Sequence, residues 1–219
     1  MSPRFVTRVT CARLPTVFGE FQLCYYTNTN DEKEHLAIIM GEVDQADDVL
    51  VRIHSECFTG DVLGSRRCDC GEQLQRALQL IAAEGRGVIV YLRQEGRGIG
   101  LLQKLKAYNL QDQGYDTVDA NILLGHQADE RDYTLGARIL EELGVKSVRL
   151  MTNNPSKISA LQSENIQVTA RIPLEGAVTQ ENAAYLLTKA ERMNHLLRIK
   201  PTIPTPADTN DPHEPQSTD

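Results

Sequence analysis

Tryptophan is absent from the 219-residue chain, and aromatic residues make up only 5% of it. A core must therefore rest on aliphatic side chains, and a hydrophobic content of 41% is enough to build one. No run approaches the ~18 consecutive apolar residues of a membrane-spanning helix. The opening stretch, MSPRFVTRVTCARLP, has neither the apolar segment nor the cleavage pattern of a secretory signal. No membrane association is expected, and the location is expected to be cytoplasmic. Cysteine is scarce, with five residues whose spacing is not that of a disulfide framework. A reducing setting follows, with metal or redox use for some of them. Cys11 and Cys24 lie in strand-like segments and read as ordinary packed thiols. Positive charge is in deficit: 23 Lys and Arg against 30 acids give a net charge of −7. Four of those acids, Asp208, Asp211, Glu214 and Asp219, follow Lys200; without them 26 acids face 23 bases. That balance excludes broad phosphate-backbone binding to nucleic acid, but it leaves room for a local basic pocket for one nucleotide.

The first third of the chain is strand-rich. Phe5–Arg13 and Phe18–Tyr26 read as a hairpin, followed by strands at His35–Gly41 and Val49–His54. The pattern then alternates. Glu72–Glu84 has apolar residues on one helical face and ends at Gly85. Val88–Leu92 is short and wholly apolar, as in a strand covered on both sides. A helix is expected near Leu101–Tyr108 and another over Asp132–Leu143, with Asp132 a possible N-cap. A strand over Ser147–Thr152, a helix over Ser156–Ser163, a strand over Ile166–Ile172 and a closing helix over Gln180–Leu197 complete the list. Alternation of this kind predicts an α/β layer architecture. From Pro201 the chain is proline-rich, acidic and poor in large apolar residues, so 1–200 is expected to be the folded domain and 201–219 a disordered tail.

Chemistry concentrates in a few stretches. Cys57, Cys68 and Cys70 have a C-x10-C-x-C spacing. Three thiolates can hold a zinc ion and leave its fourth position open, the arrangement of a catalytic site. The same spacing is also compatible with three buried thiols that never meet. His54 is the one nearby residue able to close the site. Arg93–Gly100, RQEGRGIG, joins a strand to a helix; its glycines let backbone N–H groups approach an anion, though a tight turn needs glycine anyway. HQADERDY packs charges just before a helix, where acids also belong for capping reasons. TNNPSK, Thr152–Lys157, follows a strand at the place where open α/β sheets bind ligands. Lys157 there suits a phosphate or a solvated surface. Lys104, Lys106 and Lys189 read as solvated helix residues.

Together these pieces resemble the GTP cyclohydrolase II family. The matching stretches are RIHSECFTGDVLGSRRCDCGEQL, YLRQEGRGIGLLQKLKAYNLQDQGYDTVDAN, GHQADERDY and RLMTNNPSK, with a weaker match in YLLTKAERMNHLL. The companion synthase domain fused upstream in some members is not among these residues. The resemblance implies a three-layer α/β fold with a mixed sheet, a homodimer, and conversion of GTP to formate, pyrophosphate and a diaminopyrimidinone ribosyl phosphate with Zn2+ and Mg2+. It implies zinc on Cys57, Cys68 and Cys70. It implies Arg131 as the nucleophile at the α-phosphorus, Asp129 as the base beside it, and Tyr108 as an active-site tyrosine whose presence favours complete deformylation. Arg52, Glu56, Gln73, Glu95, Arg97, Thr117, Thr152 and Lys157 coincide with the family's GTP contacts. A guanidinium is effectively always protonated, so stabilising phosphoryl charge is the easier task for Arg131. Two other readings are a relative that keeps the formyl group and a non-catalytic zinc-bound GTP sensor.

Overall fold

The computed structural model describes residues 6–197; the proline-rich stretch expected to be disordered, 201–219, lies outside the described residues. One seven-stranded mixed sheet runs through the molecule in the order β1-β2-β3-β5-β4-β6-β7. β1 (Val6–Thr16), β2 (Gly19–Asn28) and β3 (His35–Met40) form an antiparallel meander, and β3 joins β5 (Gly87–Leu92) in the same sense. β5, β4 (Val49–Ser55), β6 (Ser147–Met151) and β7 (Gln167–Ile172) are mutually parallel. Parallel neighbours need crossovers. α2 (Cys70–Glu84) supplies one between β4 and β5, and α6 (Pro155–Ser163) one between β6 and β7. The path from β5 to β6 carries α3 (Leu101–Gln111), α4 (Thr117–Leu123) and α5 (Thr134–Glu142).

The near-continuous apolar runs of β4 and β5 are explained by two cores. On one face Val49, Val51, Ile53, Val88 and Val90 pack with Ile139, Leu140 and Leu161. On the other, Leu50 and Ile89 meet Phe21, Ala77, Ile81 and Met151. The period-2 geometry of a strand sends neighbouring residues into opposite layers. Helices therefore cover both faces, and the α/β sandwich expected from the sequence is present. Truncating a fully buried side chain such as Ile53 or Ile139 to alanine is expected to cost ~2–5 kcal/mol.

Several local expectations need correction. Cys11 and Cys24 are a disulfide, not packed thiols. They sit directly opposite each other in the β1–β2 register with Cα atoms 4.1 Å apart, a proximity hidden by their separation of 13 residues. The closing helix, α7, spans only Ala183–Arg192. Beyond it the Leu196 N–H donates to Asn153 O at 2.8 Å, which draws the chain back onto the end of β6. Two short helices fall outside the sequence expectations. α1 (Phe58–Asp61) lies inside the cysteine loop, and α4 is started by Asp116, whose carboxylate accepts from the Val118 and Asp119 N–H groups. Asp132 does accept from the Thr134 N–H, at 2.9 Å, at the start of α5. Among the described residues, no helix is long and apolar enough to cross a membrane.

Candidate active site: a thiol cavity joined to a cationic cavity

Because β4, β5 and β6 are parallel, their carboxyl ends share one edge of the sheet, the usual place for a ligand in such folds. The loop after β4 carries Cys57 into α1. Asp61, the last residue of α1, turns back and accepts from the Cys57 N–H at 3.0 Å and from the Tyr91 hydroxyl at 2.8 Å. His54 Nε2 lies 3.0 Å from the same carboxylate, and its ring stacks on Tyr91. His54 is thus engaged with Asp61 and does not join the thiols as a fourth ligand.

Cys68 and Cys70 arrive from the start of α2. The Cys57 and Cys68 sulfurs are 3.6 Å apart, and all three sulfurs lie within 4.8 Å of one another. A tetrahedral ion with metal–sulfur bonds of ~2.3 Å needs sulfurs about 3.8 Å apart, so the trio could bind a metal ion. Gly60 permits the convergence: a Cβ there would stand 3.0 Å from the Cys68 sulfur and 3.1 Å from that of Cys57. The Cys57 thiol is driven strongly toward its thiolate by hydrogen bonds from Cys68 and Cys70 and by the Lys104 ammonium. The same hydrogen bond to Cys57 raises Cys68 to about 11.

Lys104 is a correction. It is buried, not solvated, and its ammonium donates to Cys57 Sγ at 3.0 Å and to Glu95 Oε1 at 2.8 Å. Lys106 is exposed as expected. Tyr108 reaches the thiols through Thr59: its hydroxyl is 3.2 Å from Thr59 Oγ1, which is 3.7 Å from Cys57 Sγ. The glycine-rich loop makes a tight turn over Glu95–Gly98 in which Gly96 and Arg97 both take left-handed backbone angles. Gly98 adopts φ +98° where a Cβ would press on the Glu130 backbone at 3.1 Å. The loop thereby holds the charged HQADERDY segment, and the Glu130 N–H donates to Arg97 O at 3.0 Å. Glu56, Glu95, Arg97, Tyr108 and Thr117 line the thiol cavity with the cysteines. Arg97 Nη2 and Asn121 Nδ2 are buried there without a protein partner, which leaves donors for a polar ligand.

A second cavity adjoins it, lined by Arg52, Gln73, Thr152 and Lys157 together with Lys189 and His195. Arg52 is tied to Met151 O at 3.0 Å and to Gln73 Oε1 at 2.5 Å. Thr152 is wholly buried and its hydroxyl accepts from the Asn154 N–H at 3.0 Å. Lys157 is buried with no carboxylate in hydrogen-bond reach; its ammonium donates to Ile53 O at 2.7 Å. Burial, and then the positive charges of Arg52, Arg131 and Lys189, hold its pKa well below that of an ordinary lysine. Lys189, expected to be solvated, instead pairs with Asp69 at 2.7 Å. Both cavities share Ser55, Cys70, Arg131 and Tyr185. Arg131 is gripped by Asp129 through paired contacts of 2.8 and 2.5 Å. Burial lowers the pKa of Arg131, but Tyr133 and Asp129 outweigh it and the guanidinium is held firmly charged. Asp129, alone among the predicted site residues, lines neither cavity.

Tyr185, Lys189, Asp61, Thr59 and Asn121 are among the contributors that sequence reasoning missed. Lys104 had one signal, since it shares a helical face with Tyr108 four residues on.

The riboflavin biosynthesis protein RibBA of Bacillus cytotoxicus is 55% identical over 195 residues, covering 89% of this chain and 49% of that protein. The protein of the same name from Bacillus mycoides is 55% identical over 194 residues, with the same coverage. The chain spans about half the length of these curated relatives. A crystal structure of RibBX, a two-domain 3,4-dihydroxy-2-butanone 4-phosphate synthase from A. baumannii, aligns with a TM-score of 0.43 at 22% identity, over 77% of this chain and 41% of that one. The model of the family described as GTP cyclohydrolase II matches residues 7–173, which contain every cysteine and every predicted site residue, and the chain belongs to that family.

Proposed function

We propose that the protein is a GTP cyclohydrolase II. It would open and deformylate the guanine imidazole of GTP, releasing formate and pyrophosphate, as the first step of riboflavin biosynthesis. One observation carries the reading: a trio of convergent thiols adjoins a cation-lined cavity, and Cys70 and Arg131 belong to both. A purine at the sulfurs and a triphosphate among the cations would need that juxtaposition.

Cys57, Cys68 and Cys70 would hold one zinc ion, which when bound supplies Lewis acidity at the purine ring. Thr59 and Tyr108 stand beside those sulfurs and can relay a proton at the tyrosine hydroxyl. Tyr108 supports complete deformylation over retention of the formyl group. Arg97 and Asn121 offer unpaired donors for the purine. Arg52, Lys157 and Arg131 would bind the phosphates, with Mg2+ on the triphosphate. Asp129 orients Arg131 and keeps it charged, which supports a role in stabilising phosphoryl charge in preference to covalent attack.

The proposal includes a homodimer, supported by Leu101, Leu102 and Leu105 standing exposed on α3. It also includes a cytoplasmic location, supported by three free thiols and opposed by the Cys11–Cys24 disulfide. Mass analysis of products from GTP, with metal measured on the same sample, tests the reading. Formate, pyrophosphate and the deformylated product are expected; intact GTP after incubation with zinc and magnesium would refute it.

A further inference from the structure

α3 is inverted relative to an ordinary amphipathic helix. Leu102 is 67% exposed and Leu105 45%, while Lys104 and Ala107 are buried. Burying an ammonium is costly unless anionic partners offset the loss of water. Lys104 has two, the Cys57 sulfur at 3.0 Å and Glu95 Oε1 at 2.8 Å. Glu95 in turn uses both its oxygens within the protein. Oε1 also accepts from the Gly96 N–H at 2.8 Å, and Oε2 accepts from the Phe58 N–H at 2.6 Å. The ion pair therefore ties three separate segments together: α3, the glycine loop after β5, and the residue following Cys57.

We propose that Lys104 is a positioning residue of the metal centre, holding the Cys57 sulfur in place by a direct hydrogen bond, with Glu95 as its anchor. The inference rests on the zinc reading above. Three thiolates around a divalent ion carry one surplus negative charge, and a buried ammonium at hydrogen-bond distance from one sulfur cancels it. Hydrogen bonds to first-shell ligands orient them and tune the ion. The resemblance makes Glu95 a substrate contact; the geometry gives its carboxylate this brace as well.

The test compares wild type with K104M, K104R and E95Q by two readouts other than turnover. One is zinc affinity in competition with a chelating dye. The other is the thiolate-to-metal charge-transfer absorption of the cobalt-substituted protein, with the thermal transition followed in parallel. K104M is expected to lose ~10–100-fold in metal affinity and to shift the cobalt band. K104R, which can still donate to the sulfur, should recover part of both, and E95Q should shift the band by a smaller amount. Metal affinity within about twofold of wild type and an unchanged cobalt spectrum in K104M would overturn the inference alone. Should K104M fail to fold, E95Q decides by the same band: a shift supports the brace and a wild-type spectrum overturns it. A wild-type protein that binds neither zinc nor cobalt would overturn the functional reading, and this inference with it.

Discussion

Two buried lysines set the halves of the cleft apart. Lys104, in the thiol half, has a sulfur and a carboxylate within 3.0 Å, and although burial lowers its pKa, those partners outweigh the effect and keep it charged. Lys157, in the cationic half, has a carbonyl at 2.7 Å, the Tyr133 ring face at 5.2 Å and three cations nearby, and its pKa falls. The first lysine is satisfied by the folded chain. The second has no carboxylate in hydrogen-bond reach and is left able to take an anion. Buried charge with partners supports the structure, whereas buried charge without them marks a binding site.

The largest expected effect comes from separating the halves. Cys68→Ser removes one of the three sulfurs and should lower zinc retention and formate release by more than the ~100-fold typical of outer-shell changes, while pyrophosphate release persists. Parallel assays of the two products check this, and equal loss of both would break the division. Arg131→Met should do the reverse, cutting pyrophosphate release by ~10²–10³-fold while bound zinc is unchanged. Metal analysis beside a pyrophosphate assay reads both quantities.

Lys157→Met sharpens the comparison by its sign. Removing a buried ammonium that has no carboxylate partner should raise stability in the absence of ligand. Losing a charged hydrogen bond of ~1.5–3 kcal/mol to phosphate should raise KM for GTP by at least ~10-fold. Pyrophosphate should raise Tm in wild type and much less in this variant. Thermal melts with and without pyrophosphate test the pair of outcomes; a lower Tm for the ligand-free variant would show that Lys157 supports the fold after all.

The smallest effect is an acid one at the rim of the cationic half. Burial, with Lys189 and Arg131 nearby, pushes His195 from 6.5 to about 3. The unfolded chain therefore takes up this proton at higher pH than the folded one. Its contribution to stability is complete above pH 6.5 and is lost progressively as pH falls toward 3. Denaturant titrations between neutral pH and pH 4 should show a shallower decline for His195→Gln than for wild type.

The sheet was readable because β4 and β5 are apolar on both faces and α2 and α5 place their apolar residues inward, so periodicity and packing agree. α3 defeats that logic. Its leucines stand exposed and its lysine turns toward the sulfurs, because the neighbouring site, not the core, fixes which side faces in. Spacing raised the three cysteines as a trio, and their sulfurs do converge; Asp129 and Arg131 stood out only through the family resemblance, because acids just before a helix read locally as caps. Residues that act through another, such as Asp61 beneath Cys57, left no local pattern. Cys11 and Cys24 were misread for a related reason: a cross-strand pairing depends on hairpin register, and register is a tertiary quantity.

Arg97 sits in the left-handed region at φ +63°, between two glycines that also have positive φ. A glycine would rest there more easily, since a side chain in that conformation costs of order 1–3 kcal/mol. The loop is thus held slightly uphill by the contacts of its own arginine. Arg97→Gly would relieve the backbone but remove the side chain's contacts and its place in the cavity wall, so the strain at this position is the cost of putting a guanidinium there.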